Sequence, residues 1–107
     1  MRKLRRAYQE LHSELVKAYW KTENRTDKDS IQELSGDIYD LLTEIESAFF
    51  SAKTPDLKRC SLRVGRMTVK IEKSRKQIDR MIKSVRVASK IADAMDKALE
   101  ASAKLVI

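Results

Sequence analysis

Apolar residues recur at spacings of three and four through the start of the chain. Met1, Leu4, Tyr8, Leu11, Leu15, Ala18 and Thr22 fall on one side of a helix running from about residue 2 to residue 24. A polar stretch, Glu23 to Lys28, follows it. Ser30 and Glu33 then stand in the Ser-x-x-Glu order of a capping box, which predicts a second helix over about 30–53. Its stripe is Ile31, Leu34, Ile38, Leu41, Ile45, Ala48 and Ala52, widened by Leu42 and Phe49, while Phe50 turns outward. Thr54-Pro55-Asp56 ends that helix and starts the next, since threonine can cap, proline fits the first helical position and aspartate favours a helix N-terminus.

From Leu57 onward every seventh residue is apolar: Leu57, Val64, Ile71, Ile78, Val85, Ala92, Leu99 and Val106. No proline interrupts the run, so the pattern predicts one helix over about 55–105, on the order of 75 Å long if straight. Short turns make consecutive helices antiparallel. The expected fold is therefore all-α, a single domain over 1–107: an antiparallel three-helix bundle with an overlong C-terminal helix, completed by dimerisation. A four-helix bundle with a break near residues 83–89 (KSVRVAS) is the alternative. In the first arrangement some 25 residues overhang, carrying an apolar face too large to leave in water. Trp20, Val85, Ala88, Ala92, Met95, Leu99 and Val106 are then the candidate interface residues.

Composition agrees with helix: two glycines, one proline, 42% hydrophobic and 36% charged residues. Gly65 falls on the outer face of its helix. Cys60 is the one cysteine, which excludes an internal disulfide, and at a seam position it reads as a small buried residue. The start has the basic charge of a signal peptide without the apolar stretch that should follow, and no segment is apolar enough for a membrane span. A cytoplasmic location is expected.

The net charge of +7 is unevenly spread. Residues 1–25 carry +4, 26–56 carry −6, 57–90 carry +10 and 91–107 carry −1. Glu33, Asp37, Asp40 and Glu44 form an acidic stripe beside the apolar seam of the second helix, and Arg59, Arg63, Arg66, Lys70, Lys73 and Arg80 form a basic stripe on the third. An antiparallel hairpin would bring Glu44 to Arg63 or Arg66 and Asp37 to Lys70 or Lys73, fixing the register. At the Thr54-Pro55 end, Arg2, Lys3, Arg5, Arg6, Lys53, Lys58, Arg59 and Arg63 collect near Phe50. That cap reads as a solubilising end or as a candidate phosphate-binding patch with an aromatic to stack a base. Lys83, Arg86 and Lys90 would meet Glu100, Asp96 and Asp93 of a second copy in an antiparallel dimer of overhangs.

Trp20 reads either as interior filling or as an interface anchor. His12 lacks convergent ligands and reads as a surface histidine. Met67, Met81 and Met95, fourteen residues apart, read as core filler or an adaptable apolar surface. No phosphate loop, no activated nucleophile and no paired inward carboxylates are present in the pattern, so no catalytic residues, metal or cofactor are expected. Ile78-Asp79-Arg80-Met81-Ile82 through Ile91 resembles the opening helix of the all-helical chorismate mutases. The resemblance spans fewer than twenty residues, and in that family further helices that supply catalytic groups follow this one.

The expected function is that of a non-enzymatic helical interaction or assembly protein, a homodimer or the partner of another helical protein. Sequence-nonspecific nucleic-acid binding through the basic cap is the second class. A chaperone or secretion-accessory protein lending its exposed seam to a helical partner is the third.

Overall fold

The computed structural model describes residues 2–105; Met1, Val106 and Ile107 lie outside it. It is all-helical among those residues, with α1 Arg2–Lys21, α2 Arg25–Ser51, α3 Thr54–Arg75, the single turn α4 Ile78–Met81, and α5 Val85–Ala103. Four long helices run alternately up and down. Each packs on its neighbour in the chain, and α5 closes the cycle by lying against both α1 and α3. The stripes read from the sequence of the first two helices form the core: Leu4, Tyr8, Leu11, Leu15 and Ala18 from α1 meet Ile31, Leu34, Ile38, Leu41 and Ile45 from α2.

The turns follow from local chemistry. α1 stops at Lys21, and the buried Thr22 hydroxyl donates back to the Ala18 carbonyl at 2.7 Å. Asn24, extended at φ −70° and ψ 127°, then caps α2 by accepting from the Asp27 amide at 3.1 Å. The second helix thus begins at Arg25, five residues before the Ser30 box. Asn24 with Asp27 satisfies the free N-terminal amides first, and the Ser30 hydroxyl donates to Thr26 inside the helix instead. At the other end of α2, Ala52 adopts a left-handed conformation (φ 54°) and its amide donates to the Ala48 carbonyl. α3 starts at Thr54 with proline in its first turn, as the punctuation predicts. The cap position is held by Lys53 without a side-chain bond, so Thr54 is not the cap.

The overlong third helix is the expectation that the structure overturns. α3 ends at Arg75, α4 makes one turn, and Ile82 (φ −119°, ψ 113°) and Ser84 (φ −71°, ψ 114°) are extended. The break begins some seven residues before the 83–89 stretch and reaches into it. The Ser84 hydroxyl accepts from the Val87 amide at 3.3 Å and starts α5, which folds back along the chain. The physical reason is coverage: folding back buries Ala88, Ile91, Ala92, Met95 and Ala98 inside the same chain. The longest dimension of the molecule is consequently 43 Å, well short of the roughly 75 Å of a continuous helix. The segment resembling a chorismate mutase helix is itself divided, because residues 82–84 are not helical.

The left-handed Ala52 gives a direct test. A residue with a Cβ in that region is disfavoured by about 1 kcal/mol or more, so Ala52→Gly is expected to stabilise the chain by roughly 0.5–1 kcal/mol. A rise in the urea midpoint at unchanged slope checks this, and a fall would show that the turn is not left-handed.

Candidate functional site

The candidate interface residues do not come together. Ala88, Ala92 and Met95 are buried in this chain's own core, and Leu99 is partly buried against it. These residues are therefore not available to a partner, which corrects the overhang expectation. Val106 lies outside the described residues. Trp20 and Val85 remain in water, 75% and 84% exposed. Val85 falls outside the seam because the phase resets at the break, where Ala88, Met95 and Ser102 take over the seam positions.

Trp20 stands on the outer face of α1 one turn beyond the exposed Val16. Its ring meets Tyr19 edge-on at 5.2 Å between centroids, and the Lys28 ammonium lies 4.8 Å over the Tyr19 ring. Tyr19 and Lys28 thus tie this side to α2 while the indole stays outside, so Trp20 does not fill the interior. His12 lies partly buried beside Tyr39, with ring centroids 5.7 Å apart. Met67, Met81 and Met95 are all core residues.

The eight candidate phosphate-binding cations are divided among different faces. Arg2 and Arg5 line a groove with Ile45, Glu46, Phe49 and the 94% exposed Phe50. Lys3 and Arg6 line another, of about 510 Å³, between α1 and α5, where Glu10 and Glu100 supply acids. Arg59 pairs with Asp56 at 3.8 Å and Arg63 pairs with Glu44, so acids of this chain already neutralise both. Lys53 and Lys58 are exposed.

Two ion pairs expected across the second and third helices are present: Arg63 with Glu44, and Lys70 with Asp37 at 3.0 Å. Together they define one antiparallel register, in which residue i of α2 lies level with residue 107−i of α3. Arg75 bridges to Asp96 at 3.2 Å and Lys97 to Glu10 at 3.8 Å, tying α5 to α3 and α1. Asp96 is thus engaged within the chain, and Glu100 is held by Lys104 at 3.2 Å, instead of both meeting a second copy's bases. Exposed pairs of this kind contribute about 0–1 kcal/mol each, so they select the register more than they stabilise it.

The most buried polar contact joins residues 94 apart in sequence. The Ser102 hydroxyl donates to the Ala98 carbonyl at 2.7 Å, which leaves its oxygen to accept from the fully buried Tyr8 phenol at 2.8 Å. Burial raises the Tyr8 pKa above the ordinary phenol range, more than the hydrogen bond to Ser102 lowers it. The Cys60 thiol is likewise raised by burial and by the Glu44 carboxylate, and Cys60 is buried as its seam position implies. A buried thiol kept protonated is a packing residue, not a nucleophile. Among the described residues no group of three His, Cys, Asp or Glu converges to hold a metal ion, and no helix is long and apolar enough to cross a membrane.

Sequence reasoning missed a set of outward residues on α2 and α3. Tyr39, Leu62 and Val69 are 59%, 67% and 65% exposed. Both glycines of the chain, Gly36 and Gly65, lie on these same helices, exposed and with negative φ, and a Cβ on either would meet nothing within 4 Å. Each costs about 1 kcal/mol relative to alanine in a helix interior. Nothing inside the chain requires them. Leu62 and Val69, seven residues apart and off the seam, are the signal that would have marked this outward row on α3, while Gly65 lines the groove between α3 and α5. Comparison with protein-family models, curated proteins and solved structures gives no match.

Tyr8 sets a pH test. Its folded pKa lies above the unfolded value of about 10, so above that pH the folded state holds a proton that the unfolded state releases, and stability falls as pH rises. Tyr8→Phe should cost about 1 kcal/mol at neutral pH through the lost hydrogen bond. The advantage of the wild type over Tyr8→Phe should then shrink as the pH rises above about 10 in urea melts. A difference that stays flat across that range would disprove the linkage.

Proposed function

We propose that this chain is a non-enzymatic helical association protein, which acts by presenting outward helix faces to itself or to another helical protein. The observation that carries this reading is the placement of Trp20. The single tryptophan of the chain stands on an outer ridge beside Val16, and the core is complete without it. Removing a side chain of that size from water stabilises a contact by roughly 1.5–3 kcal/mol, and exposed tryptophans of this kind are frequent anchors of interfaces. The chaperone expectation depended on an exposed seam between residues 80 and 107; within the described residues that seam faces inward, and it lends this class no support.

A second reading, nucleic-acid binding without sequence preference, is favoured by one groove. Arg2 and Arg5 lie beside the bare ring of Phe50, an arrangement that can hold phosphates and stack a base.

Light scattering on the purified chain across concentration and salt, with the 260/280 nm absorbance ratio recorded alongside, separates the two. Under the association reading the mass rises above the monomer with concentration, salt has a modest effect and no nucleic acid co-purifies. When a helical partner docks on α1, Trp20 emission moves to shorter wavelength, and Trp20→Ala weakens that contact without lowering the melting temperature. A chain that stays monomeric at every concentration, and binds duplex or single-stranded oligonucleotides with an affinity that falls steeply with salt and is lost on charge reversal at Arg2 and Arg5, overturns the association reading.

A further inference from the structure

We infer that the outer face shared by α1 and α2 docks a helix of another protein, one with an apolar stripe about four turns long and carboxylates at one end, set over Arg2 and Arg5. The inference rests on the association reading and names the chemistry of the partner. Contacts along the whole length of α1 show that the two helices present one continuous face. Arg2 and Arg5 share a groove with Phe49 and Phe50 at one end, His12 meets Tyr39 in the middle, and Lys28 lies over Tyr19 at the other end, where Trp20 touches Tyr19 edge-on. Every aromatic residue of the chain except the fully buried Tyr8 belongs to this face. Trp20, Tyr39 and Phe50 are its exposed anchors, of the type that dominates binding energy in protein interfaces. From Arg5 to Tyr19 the helix rises about 21 Å, which is the length of about four turns.

Charge selects the occupant. Charged residues make up 36% of the chain, yet the middle of this face carries none: Gln9, Ser13 and Val16 of α1 lie there at helical spacing, with Gln32, Tyr39 and Thr43 of α2 across the groove. The charges of α1 are kept to its other flank, where Glu14 pairs with Lys17 and Glu10 meets Lys97 of α5. Charge depleted at the centre, with aromatic residues and arginine around it, is the composition of a protein interface. A single-stranded nucleic acid needs cations all along its backbone, and the uncharged middle does not supply them. At the groove end, Arg2 and Arg5 enter no ion pair among the described residues, and Glu46 is the one acid lining the groove beside them. That end therefore selects a carboxylate-bearing partner. A second copy does not bring the required stripe: among the described residues, Glu33, Asp40, Asp93 and Glu100 stand on helix flanks without an exposed large apolar side chain beside them.

The test titrates the full chain with capped synthetic peptides of about sixteen residues, some four turns of helix. The first has leucines on one side at spacings of three and four, alanine and glutamine elsewhere, and glutamates in its first turn. The second replaces the glutamates by lysines, and the third holds the residues of the first in an order without helical spacing. Anisotropy of the labelled peptide and Trp20 emission are read, with circular dichroism confirming that each variant is folded. The first peptide is expected to bind and move Trp20 emission to shorter wavelength, and the other two to bind about tenfold more weakly or less. Trp20→Ala, Tyr39→Ala, and Arg2→Glu with Arg5→Glu should each weaken the first peptide by about tenfold or more. Arg66→Glu with Lys73→Glu, the same change of net charge placed on α3, should alter it by no more than about twofold, since salt screens distant charges. Equal binding of the three peptides, an equal loss on the α3 reversal, or no binding to millimolar concentration overturns the inference. An oligothymidylate that binds more tightly and displaces the peptide also overturns it, in favour of nucleic acid on this face. In each of these cases a mass that rises with concentration in light scattering leaves the association reading in place, and a chain that neither binds the peptides nor self-associates overturns both.

Discussion

The apolar face of α5 has to be covered, and the turn at residues 82–84 lets the chain cover it with its own helices. Keeping the helix continuous would add a few backbone hydrogen bonds across the break, each with a net value of about 1 kcal/mol. Folding back buries Ile91 and Met95 completely and several alanines almost so. Burial of the first two alone is worth roughly 1.5–3 kcal/mol each, and it does not depend on protein concentration as burial against a second copy would. Burial outweighs helix continuity, and the turn follows from that balance. Ser84 lowers its cost by capping the new helix, while the extended conformation at Ile82 suits a β-branched residue.

Once α5 is in place it organises the other helices. Its small side chains, Ala88, Ala92, Ala94 and Ala98, let it sit closely between α1 and α3. The hydrogen bond from Tyr8 to Ser102 then fixes how far α5 slides along α1, because a phenol buried without its partner would cost more than the bond contributes. Arg75 with Asp96 and Glu10 with Lys97 set the rotation of α5 from the two sides. A weak outer shell of ion pairs and one strong inner polar contact thus act together: the first discriminates among registers, the second penalises any slip.

The parts of this fold that were legible in the sequence are those where one signal acts alone. The stripes of α1 and α2, the Thr54-Pro55 turn, the burial of Cys60 and the pairs Arg63–Glu44 and Lys70–Asp37 follow from periodicity, proline and charge spacing. The break near residue 82 was obscured because Ile78, Val85 and Ala92 continue a seven-residue repeat across it, although Ile78 is buried, Val85 is exposed and the seam has moved to Ala88. A repeat of seven fits both a continuous helix and two helices whose phase shifts by three residues. Only Ser84, with the form of a cap, distinguished them. The start of α2 was missed for a related reason: Asn24 and Ser30 are both competent caps, and the helix begins at the first that can be satisfied. For the candidate site, Phe50 and Gly65 were correctly placed outward, whereas Ala88, Ala92 and Met95 were assigned to a partner because the seam that covers them, on α1, lies some eighty residues away in sequence.

Closing the cycle also changes which apolar side chains the molecule leaves in water. Apart from the exposed Val85, residues 80–103 turn their large apolar side chains inward, and Arg80, Lys83, Arg86 and Lys90 stand exposed around the turn. Most of the other large apolar side chains left in water lie on the outer sides of α1, α2 and α3, which differ in kind. α1 presents one large aromatic side chain, Trp20, with Val16 one turn before it. α2 presents Tyr39 on the side toward α1, beside His12, and α3 presents Leu62 and Val69 outward. The acid and base rows that hold α2 against α3 continue onto the outer side of that pair, where Glu33, Asp40, Arg66 and Lys73 stand exposed, so water and ions rather than apolar contact meet the molecule there.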